Sequence, residues 1–173
     1  WTPTLKGAWE IVDGVYTQNQ AKGTLSYAGS EAWTNYSVEA NITAPSSSSG
    51  TVMLVGRATD VGRYYGAWAN GTLSIQRRFN SSSFANQLTS MSLSMDYGSV
   101  HHWRLDFVGQ TISLYIDGEL KLEYTDPDNA FPKGKIGFGT NKTKGFFDNV
   151  IVRSLATPRA ALSLTTPADY QVV

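Results

Sequence analysis

The sequence predicts an all-β domain, a two-sheet antiparallel β-sandwich of the jelly-roll type, and three observations predict it. Apolar residues recur with period two in segment after segment. No segment holds a helical period over the roughly 11–18 residues that an amphipathic helix needs. Turn residues punctuate the chain every 8–12 residues or so, the spacing of strands in a sandwich or barrel.

The elements come in order along the chain. Trp9–Val12 reads as an opening strand closed by the turn pair Asp13-Gly14. Tyr36, Val38, Ala40 and Ile42 alternate with Ser37, Glu39, Asn41 and Thr43, giving one apolar and one polar face. Arg63–Ala69 is joined to Thr72–Phe79 through Asn70-Gly71. Ser46–Gly50 and Asn80–Ser83 are small-residue loops. Trp103, Leu105 and Phe107 alternate with Arg104 and Asp106; Ile112, Leu114 and Ile116 come after Val108-Gly109-Gln110, and Leu120, Leu122 and Tyr124 after Asp117-Gly118. Residues 103–124 therefore form a three-stranded meander. Trp103, Phe107, Phe138 and Phe147 are expected in the core. The pattern spans residues 1–154; from Leu155 it breaks into Ala, Thr and Pro, so 155–173 reads as a linker or C-terminal strap.

Composition narrows the classes of function. Charged residues make up 16% of the 173, below the ~25% usual for globular proteins, so Ser, Thr, Asn and Gly must cover much of the surface. Fourteen basic residues balance fourteen acidic ones without a basic segment, which argues against nucleic acid as a partner. No apolar run approaches the ~20 residues of a membrane span, so no membrane partner is expected. There is no cysteine, hence no disulfide and no thiolate zinc site. The acceptor pattern for N-glycosylation occurs at Asn35, Asn41, Asn70, Asn80 and Asn141, against about two expected by chance. That excess points to a secreted, extracellular glycoprotein; accidental matches in a Ser/Thr/Asn-rich bacterial surface protein are the alternative.

Trp9-Glu-Ile-Val-Asp-Gly14, Tyr36-Ser-Val-Glu-Ala-Asn-Ile-Thr43, Gly50-Thr-Val-Met-Leu-Val-Gly-Arg57 with Arg63-Tyr-Tyr65, the meander, Gly134-Lys-Ile-Gly-Phe-Gly139 and Phe147-Asp-Asn-Val150 come in that order. Over about residues 5–153 this resembles the concanavalin-A-like or laminin-G-like lectin/glucanase superfamily, in particular modules appended to glycoside hydrolases. The resemblance implies a sandwich, a carbohydrate ligand and an adjacent catalytic domain as partner. Fold alone does not assign activity, so the site is argued separately.

Glycoside hydrolysis needs two carboxyl groups roughly 5–10 Å apart, which on one strand means a spacing of two or four residues. The superfamily's Glu-x-Asp-x-x-Glu strand is missing, and Glu10-Ile-Val-Asp13 puts its carboxylates on opposite strand faces. Asp106 has no second acid on its own strand face. The Gln-Ile-His strand of related lyases is missing too, and the adjacent pair His101-His102 is poorly placed to chelate. The chain itself is therefore expected to be no enzyme.

Asp148 shares parity with Val150 and Val152, so an inward carboxylate needing a cation or N–H donors is expected there. By resemblance to modules with a similar closing strand, Glu10 and Asp148 would hold a structural calcium, joined by backbone carbonyls. Sugar recognition needs flat apolar plates with fixed polar groups beside them. Tyr64, Gly66 and Trp68 share one face of their strand, with Arg57 and Asp60 nearby to bond hydroxyls. If Tyr64 and Trp68 are core residues instead, Tyr65 is the exposed aromatic. Arg77 and Arg78 face opposite ways, Arg77 being the carbohydrate candidate, and Trp33 in its polar loop is a candidate rim contact. The expectation is a non-catalytic carbohydrate-binding module. The alternatives are a laminin-G-like protein-interaction or bracing domain, or a divergent hydrolase or lyase.

Overall fold

The period-two pattern does build strands. The computed structural model describes residues 1–4, 8–43, 50–60, 62–79, 85–92, 96 and 98–156, with Asp60 described in its backbone only. The strands are β1 (Thr2–Pro3), β2 (Trp9–Val12), β3 (Val15–Gln18), β4 (Thr24–Ala28), β5 (Tyr36–Thr43), β6 (Thr51–Asp60) and β7 (Arg63–Ala69). They continue as β8 (Thr72–Arg78), β9 (Asn86–Ser92), β10 (Val100–Val108), β11 (Thr111–Ile116), β12 (Glu119–Thr125), β13 (Lys135–Asn141) and β14 (Gly145–Ser154). No helix occurs among the described residues. Residues 46–49 and 80–83 of the two expected loops, Asn80 among them, and 157–173 of the expected strap lie outside the described residues.

Two seven-stranded antiparallel sheets face each other, the first in the order β1-β4-β13-β6-β7-β8-β9 and the second in the order β12-β11-β10-β5-β14-β3-β2. The expected meander is β10-β11-β12. Its second turn has Asp117 at φ 53° and Gly118 at φ 82°, both in the left-handed region that the tightest hairpins demand. The core lies between the sheets, with Val38, Ile42, Trp103, Leu105, Phe107 and Leu114 meeting Leu54, Tyr65, Ala67, Ile75 and Phe138. Phe138 and Phe147 stack with centroids 4.4 Å apart. All four aromatics expected inside, Trp103, Phe107, Phe138 and Phe147, are buried. Trp33 is only half exposed and packs edge-on against Tyr36.

One expectation of orientation is corrected. Phe147 points into the core, but a register irregularity comes between Asp148 and Ile151, and Asn149 adopts φ 51°. The extra residue of this bulge reverses the parity of everything before it relative to Val150 and Val152, which do pack on the core. Asp148 therefore faces outward rather than inward.

Candidate functional site

The first sheet carries a second apolar cluster on its outer face, separate from the core: Leu25, Tyr27, Met53, Val55, Ala58 and Tyr64, with Trp68 half-buried against them. Period two explains how one strand serves both faces. Tyr65, Ala67 and Ala69 point into the sandwich, while Tyr64, Gly66 and Trp68 point out. Strand pairing aligns Leu25, Gly139, Met53, Trp68, Ser74 and Ser90 in one row across the sheet. The adjoining row is Tyr27, Gly137, Val55, Gly66, Gln76 and Gln87.

The glycines in these rows let large side chains lie over the backbone. A Cβ on Gly139 would stand 2.6 Å from Leu25 Cδ2 and 2.8 Å from Met53 Cε, and one on Gly66 would stand 2.8 Å from Trp68 Nε1. The result is a cleft of about 350 Å³ floored by Leu25 and Met53 and walled by the half-buried Trp68, with the fully buried Tyr64 beneath. Arg78, Thr24, Thr140 and Asn141 supply polar groups at its margins, and none of its described lining residues is acidic. Arg78 Nη1 lies 3.5 Å from Tyr64 Oη. Burial pushes the Tyr64 phenol up, so it stays protonated and able to donate.

Of the residues expected to bind sugar, the structure brings Tyr64 and Trp68 together and sends three others elsewhere. Arg57 is 2% exposed. It has φ 49° beside a register irregularity of β6, which turns it inward. Its Nη2 donates to Thr34 O at 3.0 Å and Gly109 O at 2.8 Å, its Nη1 to Phe131 O at 3.3 Å, and its guanidinium stacks 5.1 Å from the Phe107 ring centroid. Burial lowers its pKa, and its donors are already committed to carbonyls. Tyr65 is buried in the core, donates to Asp126 and accepts the Phe131 N–H at 3.3 Å. Burial first, then the bond to Asp126, pushes its phenol up to about 12.

Arg77 faces inward at the end of its strand, its Nη1 2.8 Å from Asp126 Oδ1 and 3.3 Å from Asp128 Oδ2. Burial works to raise the Asp126 carboxyl, but hydrogen bonds from Tyr65, Arg77 and the Ala130 and Asp128 amides outweigh it and hold the group below the usual carboxylate range. Asp60 belongs to β6 by its backbone, and its side chain lies outside the described atoms. Arg78, on the other face from Arg77, is the site residue that sequence reasoning passed over, although the adjacent pair already required one arginine on each side.

Glu10 and Asp148 are not brought together. Glu10 is exposed and accepts a bond from Asn19 Nδ2, while Asp148 accepts the Asn149 N–H at 2.7 Å. Strand β3 runs between β2 and β14, which sets the two carboxylates' strands roughly 10 Å apart. Among the described residues no group of three or more His, Asp or Glu is placed to hold a metal ion. These two side chains do not fit a shared calcium site.

The acceptor asparagines differ in access. Asn70 and Asn141 are exposed, Asn41 is half-buried in mid-sheet, and Asn35 Oδ1 is occupied by the Gly109 N–H at 2.9 Å. His101 Nδ1 lies 2.8 Å from Asp117 Oδ2, the turn aspartate. On the outer face of the second sheet, Asp106 stands beside Arg104 Nε at 3.2 Å and Glu39 beside His102 Nε2 at 3.4 Å. Burial raises the Asp106 carboxyl, Arg104 opposes it, and the charge of Glu39 adds to the rise.

The two-sheet architecture and the aromatic-walled outer face define a lectin-like sandwich of the concanavalin-A-like, lectin/glucanase kind. The chain belongs to the 3-keto-alpha-glucoside-1,2-lyase-like domain family, whose model matches residues 1–153. It is 26% identical over 170 residues to an extracellular exo-alpha-L-arabinofuranosidase of Streptomyces chartreusis, a match that covers 95% of this chain and 20% of that protein. Among solved structures it superposes on the carbohydrate binding module CBM66 from Bacillus subtilis with a TM-score of 0.76 at 18% identity, covering 86% of this chain and 92% of that one. It superposes on an endo-beta-1,3-glucanase from Pyrococcus furiosus with a TM-score of 0.62 at 13% identity, covering 88% and 80%. At these identities the structural likenesses show the fold alone. No helix among the described residues is long and apolar enough to cross a membrane.

Proposed function

We propose that this domain binds carbohydrate without cleaving it, in the cleft on the outer face of the first sheet, as a module of a secreted enzyme. The observation that carries the reading is the cleft's lining: an indole wall and a Leu–Met floor for the C–H face of a sugar ring, Arg78, Asn141 and threonines for its hydroxyls, and no carboxylate among the described residues. Hydrolysis by the usual route needs a pair of carboxyl groups across the scissile bond. The partner in this reading is an adjacent catalytic domain, supported by the extracellular arabinofuranosidase of which the matched region is 20%. A calcium held by Glu10 and Asp148 is not part of it.

Calorimetric titration with arabino-, fructo-, galacto- and gluco-oligosaccharides tests the proposal. At least one series should bind, Trp68→Ala should weaken it about tenfold or more, and no reducing ends should be released. Binding that survives Trp68→Ala unchanged would rule the cleft out.

A second reading has one observation in its favour. Asp106, with its raised carboxyl, and Glu39 on the neighbouring strand form an acid-plus-carboxylate pair of the sort that glycoside hydrolases use. Turnover of any polysaccharide that is lost in Asp106→Asn would establish it in place of simple binding.

A further inference from the structure

The outer face of the second sheet holds a cleft of about 420 Å³ that the carbohydrate reading leaves unused. Two rows of register build it. Thr17, Phe146, Thr43 and Val100 form the first, and Asp148 and Asn41 lie in the second, beside the paired Val12 and Val15. Three valines, Val12, Val15 and Val100, and the half-buried Phe146 ring are among its lining residues, and its surface is mostly carbon. Its rim extends the carbon surface into solvent, with Val100 63% and Val12 45% exposed.

Two carboxylates, Asp13 and Asp148, open onto this cleft, and among the described residues no Lys, Arg or His lines it. The imidazole of His102, next in the row beyond Asn41, is turned to Glu39 at 3.4 Å. Asp148 reaches the cleft only because the bulge at Asn149 reverses its face, and bulges of this kind commonly re-aim a side chain toward a ligand. A carboxylate beside exposed aliphatic surface complements a cation carried on an apolar stem, which is the chemistry of a Lys or Arg side chain between apolar neighbours. It suits a sugar poorly, since the exposed walls are branched aliphatic groups rather than flat rings.

We infer that this cleft is a protein-docking site that seats a basic side chain of an extended, apolar-flanked segment of a partner polypeptide, with Asp148 as its counter-ion. The site faces away from the sugar cleft, on the opposite sheet, so both can be filled at once.

The probe is an end-blocked Ala-Val-Arg-Val-Ala peptide, titrated into the isotopically labelled domain and followed by amide chemical shifts. Shifts should be confined to Thr17, Asn41, Thr43, Val100 and Phe146, with the peptide carrying Glu in place of Arg giving none. Asp148→Asn, which keeps the acceptor for the Asn149 N–H, should weaken the Arg peptide about tenfold, while Trp68→Ala should leave it unchanged. The inference is overturned if the Arg peptide gives no shifts up to about 10 mM, at which even millimolar affinity would register. It is also overturned if the Glu peptide binds equally, if the residues respond to oligosaccharide instead, or if the domain self-associates through this face.

Discussion

Replacing Gly66 with alanine puts a methyl carbon 2.8 Å from Trp68 Nε1, 3.2 Å from its Cδ1 and 3.5 Å from Tyr64 Cε2. The backbone at Gly66 does not need glycine's left-handed freedom, so the effect comes from the side chains above it. Trp68 is half-buried and can swing outward to relieve the contact. The stability loss should then be about 1 kcal/mol, the low end of overpacking costs. The affinity loss should be larger in proportion, because the plate on which the sugar rests is displaced. Losing an aromatic contact worth about 1.4 kcal/mol weakens binding roughly tenfold. Urea unfolding measures the first and calorimetric titration with the oligosaccharide that the wild type binds measures the second. A variant with its affinity intact and its stability lowered would contradict this expectation, since it would show Trp68 moving without consequence for the ligand.

Three further outcomes are expected. Arg57→Ala removes a buried cation and leaves the Thr34, Phe131 and Gly109 carbonyls short of donors, so it should cost about 3 kcal/mol or more in chemical unfolding, while the folded fraction keeps wild-type sugar affinity. Asp126 has a folded-state pKa below its unfolded value, so its contribution is present above the unfolded value and is lost as pH falls toward the folded one. The wild type should therefore weaken on acidification from about pH 4 downward, and Asp126→Asn should be less stable at neutral pH and show a flatter decline. Because Glu10 and Asp148 do not share a site, wild type and Asp148→Asn should respond alike to a chelator in thermal melts. A chelator-dependent midpoint that disappears in Asp148→Asn would restore the calcium bridge.

Strand alternation was legible wherever one face is apolar and the other polar, as in β5 and the meander, because burial of one face leaves a period-two record. It was not legible in β9, an edge strand whose Leu88 and Met91 both pack against the core but stand three residues apart, because a register irregularity between Gln87 and Thr89 breaks the period. β7 is ambiguous for another reason. Tyr64 and Tyr65 are both fully buried, one under the outer cluster and one in the core, so alternation cannot say which face is inside. The misplacements of Arg57 and Asp148 share a cause: each sits at a register irregularity with a left-handed residue, and one extra residue, counted against β13 for Arg57 and against β5 for Asp148, reverses parity without altering composition. The cleft's shape depends on Gly66 and Gly139 lying in rows assembled from distant strands, which a single sequence does not display.

The sharpest test of carbohydrate binding at the outer face of the first sheet is a crystal structure with the best-binding oligosaccharide. The expected result is a sugar ring stacked on Trp68 over Leu25 and Met53, with a hydroxyl within hydrogen-bonding reach of Arg78. A sugar bound on the other sheet against Asp106 and Glu39, or one that leaves Trp68 untouched, would contradict it.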